Sequence, residues 1–516
     1  MKPILWILFV SLCCEAFGDI IRTKQGIVYK GKILEETTVN VTILVDGEKY
    51  PVTVLRSFIQ EIEKEGEGST SNDSTTKTGS PNGLIRHQEN LNPKKSKKLG
   101  DRKAELLKLI AQYLSAKDEK RKTLIPLIKE FEGYQMAGIE NDTVSLGTFS
   151  ENKGWLNEPC TVQADGQTIK SEWSLILPPG YTSQKPSPLL IALHGGGPGV
   201  GDNDTAIALL QSHASSKKWI LMAPTIPTSE YKGSKDMWHT GIAEEFVFIL
   251  MQRIIERFNV DLNRIYVAGH SMGGFGTWHY VALNGGLFAA GGAASGGPMP
   301  AETFNYENFI HSPIYIIHGI DDTQVKPAND QRGASALDAL KTKLPAFPYP
   351  DTFKPSKLTE EFFPHIYVEI KGYGHGCPDQ EFKKMIDWMF PFKRNLYPKK
   401  IIIKPWNVTE QKFYAPRHQQ NCWLQIVGKV EKYANVWASA EVHGNTILLE
   451  TSECDRVAVY LHDTLIDMDQ PLKIYLNGKE KFHSVVDRNL EFAVKHMLET
   501  QDRGRFFTSV VYLDIH

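Results

Sequence analysis

Ile265-Tyr266-Val267-Ala268-Gly269-His270-Ser271-Met272-Gly273-Gly274-Phe275-Gly276 is the stretch whose reading decides the fold. Its first half is apolar without polar alternation, the pattern of a strand buried on both faces. It passes into Gly-x-Ser-x-Gly, and a helical pattern follows over Gly274–Leu283. The glycines on either side of Ser271 remove Cβ atoms that would clash in a sharp turn, so the spacing predicts a strand-turn-helix unit that lifts a serine hydroxyl above the carboxyl end of a sheet. At a helix N-terminus the dipole favours negative charge developing on that oxygen. Ser271 is therefore the candidate nucleophile, and the alternative is a glycine turn needed only for packing. The five-residue pattern alone occurs by chance in many chains; the strand before it and the helix after it make it specific.

Three other strand ends carry the rest of a candidate site. Leu189–Leu193 runs into His194-Gly195-Gly196-Gly197-Pro198-Gly199, and glycines there let backbone N–H groups approach a carbonyl oxygen that becomes an oxyanion. The two expected donors are Met272 N–H, just after the nucleophile, and Gly196 N–H in the loop. A phosphate cradle is the rival, but the loop lacks the Lys-Ser/Thr ending of a P-loop and the GxGxxG spacing. Acid and base are expected in the order Ser, acid, His, after later strands. Ile314–Ile317 leads into His318-Gly319-Ile320-Asp321-Asp322, where two carboxylates compete, and Ile366–Ile370 leads into Lys371-Gly372-Tyr373-Gly374-His375-Gly376. His375 is the expected base; His194 and His318 read as structural hydrogen-bonders. Trp238-His239 is a candidate lining for the substrate pocket. No His-x-x-x-His, HExxH or closely paired CxxC accompanies these residues, so the chemistry is expected to need no cofactor or metal.

Around this stretch, strand runs alternate with helical ones from about Gly154 to Pro398, the pattern of an α/β domain with a mostly parallel sheet. The other expected segments are a small β-barrel-like module over 19–64 with an Asp46-Gly47 hairpin signal, a flexible linker over 65–100, a helical segment over 101–153 packing on the catalytic domain, and a β-sandwich-like domain over 399–516. Residues 1–18 read as a secretory signal: Met1-Lys2, an apolar run from Ile4 to Cys14, and Ala16-Phe17-Gly18 before Asp19. Lipoprotein acylation at Cys13 or Cys14 is the alternative, weakened by Leu12. A membrane span is not expected, because the run is too short. An exported chain, periplasmic or extracellular, would lose one Lys and one Glu with its signal and keep four cysteines. Cys160 with Cys377, and Cys422 with Cys454, are then candidate disulfides, buried thiols being the alternative. With 58 Lys+Arg against 60 Asp+Glu among 516 residues, the chain shows no basic excess of the kind that binds nucleic acid. Its 41% hydrophobic content excludes wholesale disorder.

Taken together, Leu-His-Gly-Gly-Gly at 193–197, Asp261-x-x-Arg264-Ile-Tyr-Val, Gly-His-Ser-Met-Gly-Gly-Phe-Gly-Thr-Trp at 269–278, Leu287-Phe288-Ala289-Ala290, His318-Gly319-x-x-Asp322 and Gly374-His375 resemble the α/β-hydrolase superfamily. Within it they resemble the secreted esterase and predicted-peptidase branch, which takes in polyhydroxybutyrate-depolymerase-like and feruloyl-esterase-like enzymes and relatives of the prolyl oligopeptidase catalytic domain. The resemblance covers about half the chain. It implies an α/β-hydrolase fold, selects Asp322 over Asp321 as the acid, and implies a Ser271–Asp322–His375 triad with hydrolase activity. It leaves the substrate open, since one triad serves esters, thioesters and peptides. A secreted serine esterase is the first expectation, acting on small or polymer-linked esters such as acylated polysaccharides. A prolyl-oligopeptidase-like peptidase is the second, although no repeat of 40–50 residues marks a β-propeller. A binding protein that has lost catalysis on the same fold is the third, and the intact triad positions argue against it. Trp406, Trp423 and Trp437 are candidates for carbohydrate contact through the C-terminal domain, with core packing as the alternative for each.

Overall fold

The computed structural model describes residues 19–23, 28–36, 40–45, 52–55, 59–64, 91–151, 154–164, 167–229, 236–299, 304–343, 365–405, 416–427 and 436–515. The expected signal segment, residues 65–90 of the expected linker, and Trp406 lie outside them.

The main sheet is built from β1 (Trp155–Ala164), β2 (Gln167–Ile176), β3 (Ser187–Leu193), β4 (Ile220–Pro224), β5 (Val260–His270), β6 (Ala290–Ala294), β7 (Ile314–Gly319) and β8 (His365–Ile370). Their spatial order is β1-β2-β4-β3-β5-β6-β7-β8, and a short strand at Thr228–Ser229 adds to β2. From β4 to β8 every neighbour is parallel; β2 runs antiparallel to both of its neighbours. The period of two along each strand sends alternate residues to opposite faces. Leu189, Ile191 and Leu193 of β3 join the core under α2 (Gly241–Arg257) and α3 (Met272–Leu283). Leu190 and Ala192 join the core under α1 (Asn203–Ser216) and α5 (Asp379–Met389). Between β7 and β8 comes α4 (Ala328–Lys343). Each Leu or Ile buried this way contributes about 1.5–3 kcal/mol relative to exposure.

The region after β8 contains two sheets over one apolar core. Lys400–Ile403, Trp437–His443, Thr446–Ser452, Leu472–Leu476 and Lys479–Ser484 form one; Gln420–Asn421, Leu424–Val427, Arg456–Leu461 and Ser509–Asp514 form the other. Trp423, a candidate for carbohydrate contact, is instead wholly buried here and donates its indole N–H to Pro398 O at 2.7 Å. Trp437 is half-buried.

Two segment expectations change. The helices Lys103–Ser115 and Asp118–Lys129 do form, but their buried faces meet helix Leu490–Glu499 of the C-terminal region rather than the main sheet. Leu106, Ile110 and Ile128 share a core with Leu490, Val494 and Phe506. The end of the expected linker is held in place as well: Ser96 bonds Asp469 through its N–H (3.1 Å) and hydroxyl (2.5 Å), and Arg488 reaches both Ser96 and Asp469. Composition predicts a free chain there, whereas fixed acceptors from a remote segment order it.

The expected break at Pro398 is bridged. Residues Pro81–His516 form one compact unit, and the fully buried Arg394 guanidinium makes a bidentate pair with Asp502 at 2.6 and 2.7 Å. Burial alone would raise the Asp502 pKa; Arg394 overrides it and holds the carboxyl down at about 2. Met1–Ser80 form a separate unit, in which Val52–Leu55, Asn40–Val45, Val28–Glu36, Asp19–Thr23 and Ile59–Glu63 lie in that order as an antiparallel sheet. All four cysteines among the described residues are free thiols, so neither candidate disulfide forms. Cys422 and Cys454 each bond backbone carbonyls instead.

Removing one partner of a buried ion pair strands the other, at a cost of about 3–5 kcal/mol. Arg394→Met is therefore expected to lower stability by that amount in a urea titration, and an unchanged midpoint would refute the assignment. Because the folded-state pKa of Asp502 is depressed, its contribution is present above its unfolded pKa of about 4 and is lost as the pH falls through about 2.

Candidate active site

Ser271 stands between β5 and α3 with φ 58° and ψ −119°, a backbone region that costs a non-glycine residue on the order of 1–3 kcal/mol. Close packing imposes it. A Cβ on Gly269 would lie 2.6 Å from the carbonyl oxygens of Gly273 and Leu193, and a Cβ on Gly273 would run into the Leu193 carbonyl. The turn is tied on both sides: Ser271 N–H donates to Ala294 O of β6 at 2.8 Å, and Phe275 N–H donates to Ser271 O at 3.0 Å. Met272 opens the helix, where an N–H has no partner within the helix itself.

The structure brings the three predicted residues together. His375 Nε2 lies 2.9 Å from Ser271 Oγ, and His375 Nδ1 lies 2.7 Å from Asp322 Oδ2. Asp322 Oδ1 also accepts the N–H groups of Gln324 (2.8 Å) and Val325 (3.0 Å). Burial works to raise the Asp322 pKa, but the His375 bond and these two N–H groups outweigh it and hold the carboxyl below its usual range. Asp321 is exposed, and its N–H donates to Tyr373 O, which fastens the loop after β7 to the loop after β8. His270 adds a brace that the motif alone does not reveal: its Nε2–H donates to His375 O at 2.5 Å, and burial keeps its ring pKa low.

The glycine loop passes over Ser271. A Cβ on Gly195 would come within 3.3 Å of Ser271 Cβ, and Gly196 has φ 142°, a left-handed conformation that suits glycine. His194 positions this loop, since its Nδ1–H donates to Gly195 O (2.7 Å) while Nε2 accepts from Ile226 N–H (2.8 Å). That leaves no free ring nitrogen, and burial lowers the His194 pKa. Trp238, expected to line the substrate pocket, is wholly buried and donates Nε1–H to His194 O at 2.9 Å. Its role is to support the loop from beneath. The half-buried His239 has its Nδ1 enclosed with no hydrogen-bond partner, and burial, together with His279, lowers its pKa to about 4.

A further pair of residues stands behind Asp322. His318, wholly buried, places Nδ1 2.7 Å from Asp330 Oδ2 and Nε2 2.9 Å from Val325 O. Asp330, on α4, also accepts Trp278 Nε1–H (2.7 Å) and Gly296 N–H (3.0 Å). No spacing in the sequence marks Asp330, because the helix carrying it meets the site only in three dimensions. Cys377 lies 3.6 Å from Ser295 Oγ, and burial pushes its thiol up to about 11. Among the described residues no group of three or more His, Cys, Asp or Glu could hold a metal ion, and no helix is long and apolar enough to cross a membrane.

A sheet ordered β1-β2-β4-β3-β5-β6-β7-β8, with serine, acid and histidine at the ends of β5, β7 and β8, decides the architecture. The chain has the α/β-hydrolase fold. No family model matches it. It is 28% identical over 226 residues to a bifunctional acetylxylan esterase/xylanase of Neocallimastix patriciarum, covering 39% of this chain and 31% of that one. The chain thus spans about a third of the length of that curated relative. Similar solved structures include a thermostable esterase (21% identity, 46% of this chain and 63% of that one, TM-score 0.35). The feruloyl esterase module of Clostridium thermocellum, solved with sinapinate, is 16% identical over 47% of this chain and 90% of that one, with TM-score 0.34. A ferulic acid esterase of Anaeromyces mucronatus, solved with ferulic acid, is 17% identical over 48% and 93%, with TM-score 0.33.

The α/β-hydrolase turn gives a direct test of the close approach at Gly273. Gly273→Ala forces a methyl group into the Leu193 carbonyl, and overpacking of this kind costs about 1–3 kcal/mol. Thermal unfolding should report that loss; a variant as stable as its parent would show that the turn has slack.

Proposed function

We propose that the protein is a serine hydrolase that cleaves carboxylic esters, with Ser271 as nucleophile, His375 as general base and acid, and Asp322 as the group that orients His375. The observation that carries the reading is the continuous hydrogen-bonded line Ser271 Oγ–His375–Asp322, at 2.9 and 2.7 Å, on a strained strand-to-helix turn. The Asp322 carboxylate only accepts, so it fixes the His375 hydrogen on Nδ1 and leaves Nε2 to accept from the serine hydroxyl.

In the first half-reaction Ser271 Oγ bonds to the ester carbonyl carbon as its proton passes to His375 Nε2. The carbonyl oxygen becomes an oxyanion held by the Met272 and Gly196 N–H groups, each worth about 10²–10³ in rate. The tetrahedral species then expels the alcohol oxygen, which takes the proton from His375 Nε2 and leaves an acyl group on Ser271. In the second half-reaction water gives a proton to His375 and attacks the acyl carbon. Collapse releases the carboxylic acid and returns the proton to Ser271.

The loops around the triad also bear on the substrate. Among the described residues eight large apolar side chains stand exposed, and four of them, Val200, Met299, Ile320 and Tyr373, lie on the loops after β3, β6, β7 and β8. This supports a substrate with an apolar part beside the scissile bond. The relation to an acetylxylan esterase/xylanase fits an acylated polysaccharide as its source.

Purified protein is expected to hydrolyse p-nitrophenyl esters, and Ser271→Ala to abolish turnover while leaving the circular dichroism spectrum unchanged. Undiminished turnover in that variant, or fluorophosphonate labelling at another residue, would refute the nucleophile. Butyrate should exceed acetate in kcat/KM by up to roughly tenfold, from about 0.8 kcal/mol for each of two extra methylenes. Faster cleavage of proline-containing peptides than of acylated glycans would overturn the ester assignment in favour of a peptidase.

A further inference from the structure

Beyond the Ser-His-Asp line, the site contains a buried histidine enclosed by acceptors, and this arrangement has a definite charge state. The His318 side chain and both carboxylates beside it have no solvent exposure. Its Nδ1 faces Asp330 Oδ2 at 2.7 Å; its Nε2 faces Val325 O at 2.9 Å and Asp322 Oδ2 at 3.3 Å. A carbonyl oxygen only accepts, so Nε2 must carry a hydrogen. Asp330 in turn receives an indole N–H and a peptide N–H, groups that only donate and that favour its carboxylate form, so the hydrogen shared with Nδ1 belongs on the ring. We propose that His318 is a positioning residue held as an imidazolium between Asp330 and Asp322, and that its charge sets how strongly Asp322 pulls a proton onto His375.

The electrostatics follow by counting. With Asp330 and Asp322 ionised and His318 cationic, the buried group behind His375 carries a net −1; without the His318 charge it carries −2. The second negative charge would make His375 more basic, keep it protonated to higher pH, and so remove the general base over part of the working range. The other titratable groups facing this cluster are His375 across Asp322, His270 at the end of β5, Cys377 on the loop after β8, and Tyr367 on β8, whose phenol stays neutral because burial and its Glu369 bond raise its pKa. His270 and Cys377 are kept neutral by burial, so neither substitutes for the missing cation. Burial works against a charged His318, but Asp330 prevails and its pKa lies above the ordinary histidine value.

This inference rests on the proposed role of His375, and its test separates the two. Ester hydrolysis is measured across pH for the full chain, for His318→Gln, and for the double variant His318→Gln/Asp330→Asn, which restores the net −1 without the imidazolium. The single variant is expected to shift the acid limb of kcat/KM upward by on the order of one pH unit. The double variant should return the limb to near its original position even if kcat stays low. A limb unmoved in the single variant, or still raised in the double, overturns the proposal, because a merely structural role would lower kcat without moving the limb. Should His318→Gln not fold, or should no ester be turned over, ¹⁵N spectra of histidine-labelled wild-type protein decide the matter. Both His318 ring nitrogens protonated at pH 8 support the imidazolium, and loss of one proton below pH 7 refutes it.

Discussion

The carbonyl oxygen of Leu193 occupies the space that side chains at Gly269 and Gly273 would need. That single steric fact sets the distance between β3 and the first turn of α3, and most of the site depends on it. With the helix this close, the chain can leave β5 and enter α3 only through a residue at positive φ, and Ser271 is that residue. Its hydroxyl projects from the turn instead of packing beneath it. The same approach brings the glycine loop after β3 over the serine, so the N–H groups proposed to hold an oxyanion and the proposed nucleophile are positioned by one contact.

Around that contact the loops hold one another by backbone more than by side chains. The loop after β7 donates N–H groups to β8 and to Tyr373 O, and His270 reaches across to the carbonyl of His375 itself. Such bonds fix where a loop runs almost independently of sequence, which leaves the intervening side chains at Ile320 and Tyr373 free to face outward. The charged groups in the core are arranged differently. Arg394 with Asp502, and Glu244 with His279 and His418, join the α/β region to the segment that follows it. Each ties buried polar groups of one region to the other, and residues Pro81–His516 form one compact unit.

The site was legible in the sequence wherever its chemistry depends on local spacing. Gly-x-Ser-x-Gly, the glycine loop and the glycine-flanked histidine each follow an apolar run, and Ser271, Asp322 and His375 meet in space. Strand β6 was not legible as a strand: Ala290-Gly291-Gly292-Ala293-Ala294 has little β propensity, yet it is wholly buried because Val281 and Met385 fill the space its glycines leave. Trp238 follows a strand end, a placement that suggests a pocket residue and gives no indication of its burial. The helices after Gly100 were legible from their period, but their partner was not, since an amphipathic face does not name what covers it. Asp330 was invisible for the same reason.

The covering of those helices also orders events in time. Lys94, Ser96 and Gln135 bond Asp487 and Asp469, and Met136 and Glu132 bond Asp463 and Leu490, across separations of more than 320 residues. Contacts between such distant parts of a chain raise contact order and slow folding. On a ribosome the helical pair emerges early, and the helix that covers its apolar face, Leu490–Glu499, follows only several hundred residues later. The unit is therefore closed late: its helical pair stays uncovered until helix Leu490–Glu499 has been made and can dock.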